Sequence, residues 1–144
     1  MKNLVKEFKQ LDGEKVLAHI EGNAWNDSPN PIATLISAIM RIFFAILGVQ
    51  LRTYVIATNL RIVRIDKKTI LWGMLPGAID VVTLNKSSIQ SVGYAMASSW
   101  FIFRRYYFLL ANASGVLRLT YKGDNEDLIE ACNVIDSVVA QSAR

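Results

Sequence analysis

The chain has 144 residues, of which 52% are hydrophobic and 19% are charged, and this length suits one domain. The abundance of apolar side chains excludes a disordered chain. A single cysteine, Cys132, excludes a disulfide scaffold, and with a single histidine, His19, it leaves too few soft ligands for a zinc site.

The positive charge is concentrated in the middle of the chain. The formal net charge is +4, but residues 52–122 carry ten basic side chains against two acidic ones, Asp66 and Asp80. Such a field suits an anionic partner, whether lipid headgroups, nucleic acid or an acidic protein. The same charges also make an ordinary solubilising surface, and both interpretations stay open here.

The N-terminal part of the chain predicts a short helix, a strand and a loop. Residues 2–11 form the short amphipathic helix, since their apolar residues recur at helical spacing: Leu4, Val5, Phe8 and Leu11. We expect this helix to cover one end of the core, with docking to a membrane surface as the alternative. Lys15–Ile20 predicts a strand, and the Gly-, Asn- and Pro-rich stretch 22–31 predicts a loop.

The segment Ile32–Leu51 is the most apolar of the chain and predicts a helix over residues 31–51, with Pro31 in its first turn. Its 20 residues match the thickness of a bilayer core. Small or weakly polar residues form one stripe along it: Thr34, Ser37, Arg41, Ala45 and Gly48. Such a stripe lets another helix or a sheet approach closely. Three interpretations follow: a helix in a membrane, a helix between subunits of a homo-oligomer, and a buried helix of a monomer.

Two observations weigh against a simple membrane span. Arg41 lies near the middle of the segment, where an arginine costs about 2.5–3.5 kcal/mol on insertion scales. If the strand before the helix pairs with the strands after it, both helix ends lie on one side of the membrane. We therefore expect either a homo-oligomer or a re-entrant segment, with the stripe facing protein.

After Gly48 the pattern changes to short segments rich in β-branched and aromatic residues, which are typical of strands. The expected strands are Arg52–Thr58, Arg61–Asp66, Thr69–Met74, Asp80–Leu84, Ile89–Tyr94, Phe101–Ala111 and Val116–Tyr121. Turns or loops are expected at Lys67-Lys68, Pro76-Gly77 and Ala95–Ser99. Asp124–Gln141 predicts an amphipathic helix that packs through Leu128, Cys132, Ile135 and Val139. The order predicts an α+β fold: a strongly bent antiparallel sheet, or partly open barrel, of about seven strands capped by the C-terminal helix.

Three motifs resemble those of bacterial pleckstrin-homology-like (PH-like) domains. Gly13–Leu17 resembles the opening GE-x-[VI]-L, Tyr54–Val63 the strand pair Y-x-[LI]-x-T-N-x-R-[LI], and Ile89–Val92 the later I-x-S-[VI]. The resemblance covers roughly residues 13–140, and the Thr58-Asn59-x-Arg61 element is its most specific part. It implies the PH-like fold. Some members of the family carry apolar transmembrane segments between the first two motifs, and others assemble into homo-oligomeric rings.

No pattern in the sequence indicates catalysis. His19 has no neighbouring nucleophile, and neither a phosphate-binding loop nor a dinucleotide glycine pattern occurs. We therefore expect no enzyme, no cofactor and no metal site. The aromatic and basic stretch Trp100–Tyr107 has the look of a nucleic-acid platform, but strand alternation explains it better.

The expected function is that of a binding or assembly module, cytoplasmic or at the inner face of the membrane. Its partner is a second copy through the apolar helix, a membrane surface or another protein. The alternative is a peripheral or re-entrant membrane protein that recognises anionic lipid through its basic strands. The candidate anion-binding residues are Arg61, Arg64, Lys67, Lys68, Arg104 and Arg105.

Overall fold

The computed structural model describes residues 6–23, 31–99 and 103–141. It contains seven strands and two α-helices. In chain order they are β1 (Val16–Asn23), α1 (Pro31–Ile46), β2 (Gln50–Thr58), β3 (Ile62–Ile70), β4 (Leu75–Leu84), β5 (Ile89–Ser99), β6 (Phe103–Asn112), β7 (Gly115–Tyr121) and α2 (Asn125–Ala140). A single 3-10 turn, Lys86–Ser88, precedes β5.

The seven strands form one antiparallel sheet in the order β4-β3-β2-β1-β7-β6-β5. The sheet is not closed, so β4 and β5 are its two edges. In the described ranges, its narrowest join is between β1 and β7, which pair through Gly22 with Tyr121 and Asn23 with Thr120. A Cβ atom at Gly22 would lie 2.9 Å from the Cβ atom of Leu119 and from the carbonyl oxygen of Thr120. Glycine at this position is what allows the two halves of the sheet to meet.

The main core lies between the concave face of the sheet and α2. The helix begins after Asp124 and buries Leu128, Cys132, Ile135 and Val138, which confirms the expected amphipathic helix, although Val138 rather than Val139 is the fully buried valine. It packs on β5 and β6 and also on β1 and β2. Because these strands lie on both sides of the β1–β7 join, the sheet curves around the helix. The α+β class and the antiparallel sheet with a C-terminal helix are therefore confirmed.

A second, smaller core on the other face of the sheet corrects the prediction for the N-terminal segment. Ile56, Val63 and Ile65 form it, with Phe8 packed against them. Residues 6–11 make a turn followed by irregular chain rather than helix, because Phe8 and its neighbours are held by contacts to β2 and β3. Residues 2–5 of the expected helix lie outside the described residues.

Long-range pairing also moved several of the expected boundaries. Lys67 and Lys68 lie inside β3, where they pair with Arg52 and Leu51, so the expected turn there is wrong. The turn falls instead at Leu71–Met74, which the sequence predicted as strand. Ala95–Ser99, expected as a loop, continues β5 by pairing with β6. Helix α1 ends at Ile46 rather than Leu51, because Gln50 and Leu51 already pair with β3.

Candidate functional site

Over residues 35–46, whose side chains the structure describes, helix α1 has one narrow half-buried side and is otherwise exposed. Its less exposed positions are Ser37, Arg41 and Phe44, followed by the buried Gly48, and they recur at three- and four-residue steps. The remaining surface carries eight exposed large apolar side chains, which we call the α1 apolar face: Leu35, Ile36, Ile39, Met40, Ile42, Phe43, Ile46 and Leu47.

The expected stripe coincides in part with this half-buried side. Ser37 and Arg41 are half-buried and Gly48 is buried, whereas Ala45 is exposed and Phe44 is half-buried in its place. The side chain of Thr34 lies outside the described residues. Because Arg41 is turned away from the exposed face, that face carries no charge in its described part.

The end of α1 is attached to the turn between β3 and β4. The backbone N–H of Trp72 donates to the carbonyl of Gly48 at 2.8 Å, and that of Leu71 donates to the carbonyl of Leu47 at 3.3 Å. Gly48 has a φ of +64°, and a Cβ atom there would lie 2.5 Å from the backbone nitrogen of Trp72. A glycine is needed both to end the helix in the left-handed conformation and to let the turn approach. Helix and turn therefore form one rigid corner.

This turn carries exposed apolar side chains that extend the α1 apolar face. Leu71 and Trp72 both have positive φ, 52° and 53°, which costs about 1–2 kcal/mol for each non-glycine residue. Trp72 is 63% exposed and Met74 is 79% exposed. We call this set the hairpin tip: Ile70, Leu71, Trp72, Met74 and Leu75. A strained turn that holds its largest apolar groups in solvent is typical of a binding surface rather than of a folding requirement.

The combined apolar surface is larger than a monomer normally exposes. Its thirteen side chains are between 36% and 79% exposed, which together equals about seven fully exposed side chains. At on the order of 100–150 Å² for each of those, the exposed area comes to roughly 700–1,000 Å². The largest apolar patch on a typical monomer is about 300–600 Å². A stable protein–protein interface buries about 800 Å² on each partner. The α1 apolar face and the hairpin tip together therefore have the size of one side of a stable interface.

The structure gives Arg61, the first of the six expected anion-binding residues, a partner within the chain. Its Nε donates to Glu14 Oε1 at 2.9 Å and its Nη2 to Glu14 Oε2 at 3.2 Å. The backbone N–H of Leu11 donates to the same carboxylate at 2.7 Å, and the Thr58 hydroxyl lies 2.9 Å from it. Hydrogen bonding to Arg61 lowers the pKa of the buried Glu14 to about 2. The guanidinium therefore forms a structural ion pair inside the chain.

Three further candidates lie on β3 and contact other groups of the chain. Arg64 Nε lies 2.8 Å from Asp66 Oδ2, and Asp66 also accepts a 2.6 Å hydrogen bond from the buried Thr53 hydroxyl. Lys67 Nζ pairs with Glu7 Oε1 at 3.0 Å. Lys68 is exposed, and its Nζ lies 5.8 Å from the centre of the Phe44 ring of α1. Of these three, Lys68 is the exposed one, and it lies beside α1 on the side of Phe44.

The last two candidates lie elsewhere on the sheet. Arg104 and Arg105 are exposed on β6, where they pair with Ser98 and Ala97 of β5. Three strands, β2, β1 and β7, separate β6 from β3. The six basic residues therefore do not form one cluster, and a single anion-binding face made of all of them is not what the sheet order produces.

The described residues show no arrangement typical of a catalytic or metal site. The Cys132 thiol donates to the carbonyl of Gly93 at 3.6 Å, and burial raises its pKa to about 11, so it is a poor nucleophile. His19 is exposed on β1. No group of three or more His, Cys, Asp or Glu side chains suited to a metal ion occurs in the described parts of the chain.

An open cavity of about 640 Å³ lies beside the β1–β7 join, lined by residues that include His19, Glu21, Arg52 and Lys122. Glu21 and Arg52 are 3.4 Å apart and both are about half exposed. An exposed ion pair of this kind contributes little to the free energy of unfolding. Because the lining carries both acidic and basic side chains, it does not indicate one class of ligand.

No helix in the described ranges is both long and apolar enough to cross a membrane. Comparison with known proteins finds no matching family model, curated protein or solved structure.

The hairpin tip is the part of this surface that sequence reasoning missed. The stretch Thr69–Met74 is rich in β-branched and aromatic residues and was therefore predicted as strand. Gly73 was the available signal for a turn, and its φ is +90°. The two residues before it, Leu71 and Trp72, are also in the turn and have positive φ. Bulky residues rarely adopt positive φ, so the sequence did not indicate a turn at these two positions.

Proposed function

We propose that the protein is a non-enzymatic PH-like module that assembles with further copies of itself through helix α1 and the hairpin tip. The observation that carries this proposal is the exposed apolar surface of the α1 apolar face and the hairpin tip, whose combined area is about that of one side of a stable interface. Leaving such a surface in water is unfavourable by about 25 cal/mol per Å², so association that buries it is strongly favoured.

The PH-like part of the proposal rests on the fold and on how the motif residues meet. Seven antiparallel strands followed by one helix agree with what the resemblance implies. The opening motif and the Thr-Asn-x-Arg motif also contact each other directly. Lys15 N donates to Asn59 Oδ1 at 2.7 Å, and Asn59 Nδ2 donates to the Gly13 carbonyl at 3.2 Å. The Glu14 carboxylate accepts a hydrogen bond from the Arg61 guanidinium. The two motifs thus act as one structural joint between β1 and the β2–β3 turn.

A second copy fits this surface better than a lipid layer because of the charges around α1. Helices that lie in a membrane interface carry Lys and Arg along their polar side. Helix α1 has no basic residue in its last turn, and its single arginine faces the domain. The described part of the helix is instead apolar around most of its circumference, and such a surface requires burial.

The test introduces charge on the α1 apolar face. Ile39, Ile42 and Ile46 are all exposed, so the triple variant Ile39→Glu/Ile42→Glu/Ile46→Glu disturbs no core. We expect the parent chain to be a multimer by light scattering after size exclusion and the triple variant to be a monomer with the parent's circular dichroism. Val116→Glu, at a 68% exposed site on β7, is the matched control and should stay multimeric. A triple variant that retains the parent's mass would contradict assembly through α1.

One observation favours membrane association as a second candidate. Trp72 and Met74 project from the hairpin tip, and Lys68 lies beside α1, an arrangement of apolar anchors next to a positive charge. If this surface meets anionic lipid, Lys68→Glu should weaken binding to vesicles containing phosphatidylserine by about 1 kcal/mol or more. Lys67→Glu is a weaker test, because Lys67 is already paired with Glu7. The measurement is co-sedimentation of the parent and both variants with anionic and with zwitterionic vesicles. If both variants bind anionic vesicles as well as the parent does, membrane association through this surface is contradicted.

A further inference from the structure

The edge strand β4 is the second unusual surface of the molecule. Among the described residues it pairs only with β3, so half of its backbone hydrogen-bonding groups point away from the sheet. All of its ten residues are exposed except Gly77 and Leu84, which are half-buried. An exposed edge of this length is a template for pairing with another strand.

The opposite edge of the sheet is covered in part. Helix α2 packs on β5, and the Cys132 thiol donates to the Gly93 carbonyl of that strand at 3.6 Å, whereas Tyr94 and Met96 further along the strand are exposed. Among the described residues, no helix makes a comparable contact with β4.

β4 also lacks the features that normally prevent edge pairing. Such edges are usually blunted by lysines, prolines or bulges. In β4 the proline is Pro76, next to the turn, and the bulge lies in the same region, opposite Lys67–Thr69. The segment Ala78–Leu84 has neither, and its single charge is Asp80. Ile79, Val81 and Val82 are exposed there, which gives both faces of the edge apolar side chains.

We infer that β4 pairs antiparallel with β4 of a second copy, so that one sheet continues across a twofold axis. This inference rests on the proposed self-assembly and names the strand that joins the copies. A twofold interface brings the same strand of each copy together, and strands related in this way run antiparallel. The turn at the start of one β4, which carries the end of α1, then lies at the far end of the other β4.

Asp80 limits the register of this pairing. It already lies opposite Asp66 of β3, so a register centred on Asp80 would add a third carboxylate to the same row. A twofold axis normal to the sheet keeps each side chain on its own face, so it pairs only residues that point to the same face. A register centred on Val82 meets this condition and places Val82 opposite the second copy's valine 82, Val81 opposite its threonine 83 and Asp80 opposite its leucine 84. This register brings valines together at its centre and keeps the Asp80 carboxylates of the two copies apart.

The experiment measures distances between copies in the full chain with spin labels at single introduced cysteines, Thr83→Cys or Val116→Cys. Cys132 is buried and stays in place, and the unmodified chain controls for its labelling. Paired strands lie about 4.8 Å apart with about 3.4 Å per residue, so two labels at position 83 should lie within roughly 25 Å of each other. Labels on β7 at position 116 should lie at least twice as far apart.

A second variant tests the same edge without a label. Val82→Lys places a lysine on β4 and should raise the dissociation constant of the assembly at least tenfold, while Val116→Lys should leave it unchanged. An assembly in which the labels at 83 are no closer than those at 116, and in which Val82→Lys has no effect, would overturn strand pairing and leave assembly through α1 standing. A chain that is monomeric at every concentration would overturn both. An assembly that loses α1 dependence but keeps the short distance at 83 would overturn only the proposed role of α1.

Discussion

At the scale of single residues, Glu14 is the most informative side chain of the molecule. Its carboxylate is buried, yet it accepts from Arg61, from the Leu11 backbone and contacts the Thr58 hydroxyl. A buried charge is tolerated when it is paired and hydrogen-bonded in this way. Glu14 therefore links the N-terminal segment to the β2–β3 turn, 44 residues away at Thr58.

The lowered pKa of Glu14 makes stability depend on pH in a defined direction. Its pKa falls from an ordinary 4.5 to about 2 in the folded protein, so the ionised group favours the folded state. This contribution is complete above about pH 4.5 and is lost as the pH falls toward 2. We expect Glu14→Gln to cost about 1–3 kcal/mol at pH 7 and much less at pH 2, measured by urea unfolding. A Gln variant whose deficit is the same at both pH values would contradict the ion pair.

The same scale shows why the basic residues could not be assigned from sequence. A run of bases between residues 52 and 122 indicates a positive field but does not indicate which members are paired. Glu7 and Glu14 come from the N-terminal segment, and they reach β3 only because Phe8 packs onto the second core. Those contacts depend on the tertiary fold, which local pattern does not contain.

At the scale of secondary-structure elements, α2 and α1 represent opposite cases. Periodicity placed α2 well, because one side of it is apolar and meets the sheet. Periodicity also indicated the helix of α1, but not its end: Gly48 in the left-handed conformation and the pairing of Gln50 with Thr69 stop it early. The apolar run continues into β2, and hydrophobicity alone does not distinguish a helix from a buried strand.

The packing of α2 gives a direct prediction at this scale. Ile135 has no exposed surface and lies among the residues of the main core. Ile135→Asp buries a carboxylate without a partner, which should cost several kcal/mol and lower the melting temperature sharply. Asp136→Asn, a polar change at the adjacent exposed position, is the matched control and should melt like the parent. Unchanged melting of the Ile135 variant would contradict the placement of α2.

At the scale of the whole molecule, the sheet is well shielded on one side and open on the other. Helix α2 fills the concave face and covers part of β5, whereas α1, the hairpin tip and β4 present apolar groups to solvent. The approximate number of strands and the C-terminal helix could be predicted from the sequence, because alternating apolar residues and turn residues mark them. The contact between α1 and the hairpin tip could not be predicted, because it depends on two backbone hydrogen bonds between residues far apart in the chain. This asymmetry is the reason for the central claim that the molecule is completed by a second copy.

Sedimentation velocity of the full chain without detergent, over a concentration range from about 1 to 100 μM, tests that claim most directly. The chain has a mass of 16.1 kDa. Burial of about 800 Å² on each partner is typical of stable complexes, so the account predicts a species of at least twice the chain mass that persists at the lower concentrations. A single species of 16.1 kDa at every concentration, with the native circular dichroism, would contradict it.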